Sequence, residues 1–152
     1  MKKKNRALVL TLEGGGDESS ATISEFNSFM HKELYKTNNA MFGRLYRYIT
    51  LMLGMKPLQH EYKVMGLAPY SSEYHGKKSY EYFKSFHVLR GHKIYKNNIH
   101  KDVYETSKKI LEGERFDGIA WGLQKSLEDF VLNWVNNTVK KFKCKNIIIS
   151  GG

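Results

Sequence analysis

The chain has 152 residues, 41% of them hydrophobic and 26% charged, which suffices for one domain with a buried core. The single cysteine excludes an intrachain disulfide, and no apolar run approaches the roughly 18 residues of a membrane span, so we expect a cytoplasmic protein without a membrane partner. The net charge of +10 permits binding to nucleic acid, anionic membranes or phosphorylated ligands but selects none of them.

The first element is an apolar run over residues 7–12, which predicts a strand buried on both faces. Three glycines between two acids follow it, in the order Glu13, Gly14, Gly15, Gly16 and Asp17. Such glycines allow positive φ and let backbone amides approach a phosphate closely, while the carboxylates can hold a metal–phosphate or accept a proton from a hydroxyl. A plain hairpin turn is the alternative interpretation.

Two more strands and a helix are predicted next. Residues 19–26 alternate between apolar and polar side chains and indicate the returning strand, and residues 29–35 indicate a third antiparallel strand. Apolar residues then recur every three or four positions over 41–53, which predicts a helix that ends at Gly54.

The only two prolines, Pro57 and Pro69, bracket the segment KPLQHEYKVMGLAPY. Because a proline fixes its own φ and disfavours helix in the residue before it, at most a short helix fits between them. Charged side chains beside a small apolar run suit the wall of a pocket, for which the candidates are Glu61, Lys63 and Gly66. The alternative is a surface loop with solvated charges.

Residues 71–100 are rich in Tyr, Lys, His and Ser, and we expect an irregular insertion there. Within it, Tyr80, Phe83 and Phe86 or His87 fit the stripe of a helix, and residues 91–98 indicate a turn and a short irregular strand. Basic residues interleaved with aromatic ones also suit nucleic-acid binding, although a solvated surface is the expectation we prefer. The histidines of this segment lack metal-site spacing, so no metal site is predicted.

The last elements are a short helix over residues 101–111, a long helix over 118–141 capped by Asp117, and a buried strand over 146–149. Four lysines near residues 140–145 suit the negative end of the helix dipole and a solvated surface. Gly151 and Gly152 follow the strand, where a turn into a helix normally aims amides at an anion.

These elements predict an α/β fold. We expect residues 8–12 and 147–149 to share one sheet. We also expect the long helix to pack across this sheet, because the apolar stripe of the helix must be buried against another element. We also expect the glycine turn after the first strand and the terminal glycines to converge on one cleft.

Several motifs closely resemble the carbamoyltransferase family of nodulation-factor and antibiotic biosynthesis. That family has S-x-G-x-x-Y-x-x-x-T-x-x-L-G-F followed by E-x-K-V-M-G-L-A-x-Y-G. The matching residues here are Gly43, Tyr46, Thr50, Leu53, Gly54, Glu61, Lys63, residues 64–68 and Tyr70. Ser71 stands where the family usually has glycine.

Three shorter segments extend the resemblance to almost the whole chain. LTLEGGGD is similar to the family's L-D-G-x-G-D turn, with Glu13 in place of the usual Asp, and IIISGG is similar to the start of L-S-G-G-V-A-L-N. The family's I-A-x-x-x-Q-x-x-L-E helix is matched by Ile119, Ala120, Gln124, Leu127 and Glu128.

The resemblance implies a ribonuclease-H-like, actin- and hexokinase-like ATPase fold, here a single domain that is part of a larger one. It implies transfer of a carbamoyl group from carbamoyl-adenylate to the hydroxyl of a small molecule. The adenylate is made from carbamoyl phosphate and ATP by a YrdC-like domain, and an iron-type divalent metal sits in the transfer site. The glycines would bind the nucleotide, and Glu13 with Asp17 would supply the acidic group.

Because the family's paired metal histidines, its V-A-L-N segment and its YrdC-like domain are not found in these residues, we expect this piece alone to be inactive. Two other classes stay open. One is a basic nucleic-acid-binding module, which we regard as unlikely, and the other is a non-catalytic remnant that acts with a partner chain.

Overall fold

The computed structural model describes residues 6–14, 19–97 and 102–151. The strands are β1 (Arg6–Leu12), β2 (Ala21–Asn27), β3 (Met30–Thr37), β4 (His87–Arg90), β5 (Lys93–Lys96) and β6 (Ile147–Ser150). The helices are α1 (Phe42–Met52), α2 (Glu61–Leu67), α3 (Glu73–Lys84), α4 (Val103–Ile110) and α5 (Phe116–Phe142), with a 3-10 helix over Ala68–Tyr70. The fold is therefore α/β, as predicted.

The residues form two compact units, with boundaries that fall within α1 and α5. Unit 1 comprises Met1–Gly43, His87–Lys96 and Asn133–Gly152. Unit 2 comprises Arg44–Phe86 and Asn97–Leu132.

Unit 1 contains a four-stranded mixed sheet in the order β3-β2-β1-β6. The first three strands pair antiparallel, and β6 pairs parallel to β1 in a register that joins Leu8 to Ile147 and Thr11 to Ser150. This confirms that residues 8–12 and 147–149 share one sheet. Leu8, Leu10 and Ile23 are completely buried and form the core of the sheet.

Two strands are less buried than their apolar sequences predict. In β1 only Leu8 and Leu10 are fully buried, and the other five residues of the strand are half-buried, so the expectation of burial on both faces is wrong. In β6 the side chains of Ile148 and Ile149 are more than half exposed. The reason is position: within the described residues β6 is an outer strand of the sheet and pairs only with β1.

The segment expected to be an irregular insertion, residues 71–100, is regular over the part that the structure describes. It forms α3 and then an antiparallel hairpin of β4 and β5. Phe83 of α3 and Ile94 of β5 are buried, each in its own unit. The helix indicated by Tyr80 and Phe83 is α3, so that prediction is confirmed. The segment contributes to the cores, and the expectation of an irregular insertion is wrong.

Unit 2 is helical. Its core includes Leu45 and Ile49 from α1, Phe83 from α3, and Ile119 and Leu123 from α5. The short helix expected between the prolines is α2, and the helix expected over residues 41–53 is α1, followed by Gly54 at a φ of 74°. The helix expected over 101–111 is α4.

The long helix differs from its prediction at the start. It begins at Phe116, so Asp117 lies in the first turn and is not the N-cap. The Asp117 carboxylate instead pairs with the guanidinium of Arg115 at 2.7 Å, which lowers the pKa of that carboxyl group. The packing of this helix across the sheet stays a prediction.

Candidate functional site

The carboxyl ends of β1 and β6 meet at one edge of the unit 1 sheet because the two strands are parallel. Glu13 directly follows β1, and its backbone N–H donates to the Ser20 carbonyl at 2.8 Å, which holds it in line with the strand. Gly151 directly follows β6 at a φ of 145°, where a Cβ would lie 2.0 Å from the Leu12 carbonyl oxygen. Only glycine fits there, and it lies against the residue that precedes Glu13.

The first turn of α1 contacts the same edge. A Cβ on Gly43 would lie 2.2 Å from the Gly14 Cα, so two glycine backbones touch where the β1 turn passes the start of the helix. Within unit 1 the structure thus brings together Glu13, Gly14, Gly43 and Gly151. In the sequence Gly43 is a family-motif residue only, and no local pattern indicates its contact with Gly14.

The other residues predicted for this edge, Gly15, Gly16, Asp17 and Gly152, lie outside the described residues. The edge presents an exposed carboxylate, that of Glu13, beside backbone without side chains. Chemically, this arrangement offers a proton acceptor next to space for an anionic group. Among residues 6–14, 19–97 and 102–151, no three His, Cys, Asp or Glu side chains converge as metal ligands, so the implied iron-type metal has no ligand set here.

A second candidate site lies in unit 2, where three of the recognised motifs meet. A cavity of about 300 Å³ is lined by Met65, Ala68, Pro69, Trp121, Gln124, Lys125 and Glu128. The first three come from the segment that contains the two prolines, residues 56–70, and the other four from α5. Sequence reasoning missed this cavity, since the two motifs are more than 50 residues apart and no local pattern pairs them.

Hydrogen bonds order one wall of the cavity. The Tyr46 hydroxyl on α1 donates to Gln124 Oε1, and Gln124 Nε2 donates to Glu128 Oε1 at 2.8 Å. Burial of the Tyr46 phenol, reinforced by the negative charge of Glu128, raises its pKa well above the ordinary value, so Tyr46 stays a donor at every ordinary pH. The Gln124 amide is therefore held with its NH₂ group toward the carboxylate.

A second network holds Lys125. Its ammonium contacts the Asp129 carboxylate at 2.6 Å, and the Tyr80 hydroxyl donates to the same carboxylate at 2.9 Å. The hydrogen bond from Lys125 is the main reason why the pKa of Asp129 is below its ordinary value. The cavity therefore combines a fixed ammonium, an oriented amide and a carboxylate with the indole of Trp121.

The residues predicted for a pocket wall lie on α2, next to those that line the cavity. Glu61 is half-buried and accepts from the backbone N–H of Leu58 at 2.6 Å, which ties the start of the helix to the loop before it. Lys63 and Gly66 are exposed. The lining residues of this segment are instead Met65, Ala68 and Pro69.

Comparison with known proteins bears on both sites. The family model described as "Carbamoyltransferase N-terminus" matches residues 2–152. The chain belongs to this family. Membership confirms the resemblance drawn from the motifs, which lie at the sheet edge in unit 1 and around the cavity in unit 2.

Two curated relatives of this carbamoyltransferase-family chain are similar over nearly its whole length. One is an uncharacterized protein of Methanocaldococcus jannaschii, 29% identical over 158 residues, which cover 96% of this chain and 30% of the relative. The other is the nodulation protein NolNO of Sinorhizobium fredii, 27% identical over 152 residues, which cover 97% of this chain and 22% of the relative. The chain thus spans less than a third of either relative. Within its described ranges, no helix has the length and apolarity needed to cross a bilayer.

Proposed function

We propose that this chain forms part of an O-carbamoyltransferase that transfers a carbamoyl group from carbamoyl-adenylate to a hydroxyl of a small molecule. The observation that carries the proposal is the family match over residues 2–152, and the meeting of Glu13, Gly14 and Gly151 at one sheet edge supports it. In the complete enzyme the adenylate is made from carbamoyl phosphate and ATP in a YrdC-like domain. Because the chain spans less than a third of its relatives, that domain is assigned to the remainder.

The fold we propose is the ribonuclease-H-like core of the actin- and hexokinase-like ATPases. Two features of unit 1 support it: three antiparallel strands joined by hairpins, and a fourth strand that pairs parallel to the first. In such a sheet, ligands bind outside the carboxyl ends of the parallel strands. This is the edge at which Glu13 and Gly151 lie.

At this edge the proposed roles divide by chemistry. The backbone of Gly14 and Gly151, with Gly15, Gly16 and Gly152, accommodates the phosphate of the adenylate because no side chain blocks its approach. The acceptor hydroxyl attacks the carbamoyl carbon, the bond from that carbon to the phosphate oxygen breaks, and AMP leaves. The Glu13 carboxylate, supported by Asp17, takes the hydroxyl proton. An iron-type metal, with ligands mostly supplied by the remainder of the enzyme, would add electrostatic stabilisation.

Binding of a non-hydrolysable carbamoyl-adenylate analogue to the 152-residue chain tests this proposal. We expect amide NMR shifts at Gly14, Gly43 and Gly151. The test variant is Gly14→Ala, whose Cβ would sit at an ordinary 3.4 Å from Gly43 and so preserve the fold. We expect it to weaken binding at least tenfold, because the methyl group enters the contact between Gly14 and Gly43, at the edge where the proposed phosphate site lies.

The matched control is Gly66→Ala, whose Cβ would meet no atom within 4 Å. It should leave analogue binding unchanged. NMR shifts confined to other parts of the chain, or equal binding of the analogue by both alanine variants, would show that the adenylate does not bind at this edge.

A further inference from the structure

Two segments of this chain carry several cations and no acidic residue. Residues 87–97 and 133–151 contain seven lysines and arginines and no Asp or Glu, and so account for seven of the ten net charges. All seven side chains are exposed. We call them the basic face: Arg90, Lys93, Lys96, Lys140, Lys141, Lys143 and Lys145.

Hydrogen bonds and a ring contact join the two segments within unit 1. The Trp134 indole donates to the His92 carbonyl at 2.9 Å, and the Asn137 amide donates to the Gly91 carbonyl at 2.9 Å. The ring of His92 also contacts that of Phe142, with centroids 5.2 Å apart. The β4–β5 hairpin therefore lies against the last turns of α5.

Positive charges from both segments act on the side chain of His92. The pKa of His92 lies below its ordinary value, first because of burial and then because of the positive charges of Lys141 and Lys93. One of these lysines belongs to α5 and the other to the hairpin. Across the described ranges, none of the seven cations forms an ion pair with a carboxylate. The favourable interaction of lysines with a helix C-terminus accounts for Lys140 and Lys141 but not for the three hairpin cations.

An aromatic ring lies among these cations. Tyr95 of β5 is 40% exposed, and the guanidinium of Arg90 lies 5.0 Å from its ring centre. An exposed ring beside cations is the composition that single-stranded nucleic acids use, with bases stacked on rings and phosphates paired with lysines. The two segments expose three large aliphatic side chains, of which Val88 lies on the hairpin beside Tyr95, and Ile148 and Ile149 lie on β6, away from the hairpin in the chain. Membrane-surface binding relies on several inserted apolar residues together.

We propose that the basic face binds single-stranded nucleic acid, with backbone phosphates on the lysines and a base on Tyr95. This activity is separate from carbamoyl transfer, and it takes up the nucleic-acid-binding alternative that the sequence left open and that we had regarded as unlikely. Because the basic face would contact the phosphate backbone and the flat faces of the bases, its binding does not depend on the nucleotide sequence.

Fluorescence anisotropy with a labelled 20-nucleotide single-stranded DNA of mixed sequence tests the proposal on the intact 152-residue chain. Four to five phosphate contacts predict a slope of about −3 for log affinity against log salt concentration. The test variant, Lys93→Gln with Lys96→Gln and Lys140→Gln, should flatten the slope by about 2 and weaken binding at least tenfold at low salt. Circular dichroism checks that the exposed substitutions leave the fold intact.

The matched control removes the same charge elsewhere: Lys77→Gln with Lys108→Gln and Lys109→Gln, all exposed and all in unit 2. It should bind within about twofold of the wild type. Tyr95→Ala should lose at least fivefold in affinity at a salt concentration that screens the phosphates, because stacking does not depend on salt.

An equal loss of affinity in both triple variants would mean that binding depends only on the net charge of the chain. That result would overturn the assignment to this face. Unchanged affinity of Tyr95→Ala would overturn the assignment to single strands. The protein could instead bind vesicles of anionic lipid more tightly than the oligonucleotide and lose that binding when the same lysines are substituted. That result would identify a membrane surface, and not nucleic acid, as the partner.

Discussion

The hydroxyl of Tyr46 donates a hydrogen bond to the side-chain carbonyl of Gln124, 78 residues further along the chain. Because this bond occupies the carbonyl oxygen, the NH₂ group of Gln124 is left to face Glu128, to which it donates at 2.8 Å. One buried phenol on α1 thus orients two polar side chains on α5, both of which line the motif cavity of unit 2.

The first prediction is that Tyr46→Phe destabilises the protein. Tyr46 is 6% exposed, so loss of the hydroxyl leaves the Gln124 carbonyl without its donor. We expect the free energy of unfolding to fall by about 1 kcal/mol, measured by urea denaturation. The control is Tyr62→Phe, an exposed tyrosine, for which the change should stay below about 0.5 kcal/mol. Equal effects of the two substitutions would mean that the bond to Gln124 contributes nothing.

The second prediction concerns the close approach of α3 and α5. A Cβ on Gly122 would lie 2.5 Å from the Tyr80 backbone nitrogen, a contact that requires the helices to move apart. Although alanine favours helix by about 1 kcal/mol over glycine, we expect Gly122→Ala to destabilise the protein by about 2 kcal/mol or more.

The matched control for that prediction is Gly66→Ala in α2, where the Cβ would meet no atom within 4 Å. Here the helix propensity acts alone, and we expect a gain of about 0.5–1 kcal/mol. The two substitutions are chemically identical, so opposite signs in thermal or urea denaturation would isolate the helix contact. A gain in stability at Gly122 would contradict the packing of α3 against α5.

Patterns in the sequence predict the individual strands and helices of this fold, but they do not predict which elements pack against each other. Alternation and three-to-four spacing identify β2 and α1, because these patterns report one-sided burial directly. The apolar run of β6 was interpreted as a buried strand, yet Ile148 and Ile149 are exposed, because such a run does not reveal whether a strand has one neighbour or two. The same limit explains the missed cavity: the partner of Tyr46 is set by tertiary packing.

The third prediction is a loss of stability in mild acid caused by His87. Its Nε2 accepts from the Met41 N–H at 2.9 Å, its ring stacks on Phe42, and burial together with the charge of Lys96 lowers its pKa from 6.5 to about 4. The unfolded chain therefore binds a proton at higher pH than the folded chain does. Stability is full above pH 6.5 and falls as the pH drops toward 4, by about 3 kcal/mol.

Denaturation curves of wild type and His87→Gln between pH 7 and 4 measure this effect. The glutamine carbonyl can still accept from Met41 but does not titrate, so the stability difference between the two proteins should shrink or reverse by about 3 kcal/mol over that range. Other acid-sensitive groups cancel in the difference. A constant difference for His87→Gln would show that the pKa of His87 is the same in the folded and the unfolded chain.

The last prediction tests the proposed role of Glu13 in carbamoyl transfer. Glu13 extends one methylene further than the Asp that the family usually has, and its backbone is fixed by the bond to Ser20 at the end of β1. If its carboxylate takes the proton of the acceptor hydroxyl, Glu13→Gln lowers the transfer rate by about 10²–10⁴-fold when carbamoyl-adenylate is supplied to the complete enzyme. Glu13→Asp keeps the carboxylate and should retain far more activity. Glu33→Gln, an exposed acid on β3, is the charge-matched control and should leave the rate unchanged. A Glu13→Gln rate within a factor of a few of the wild type would leave Glu13 as a turn residue.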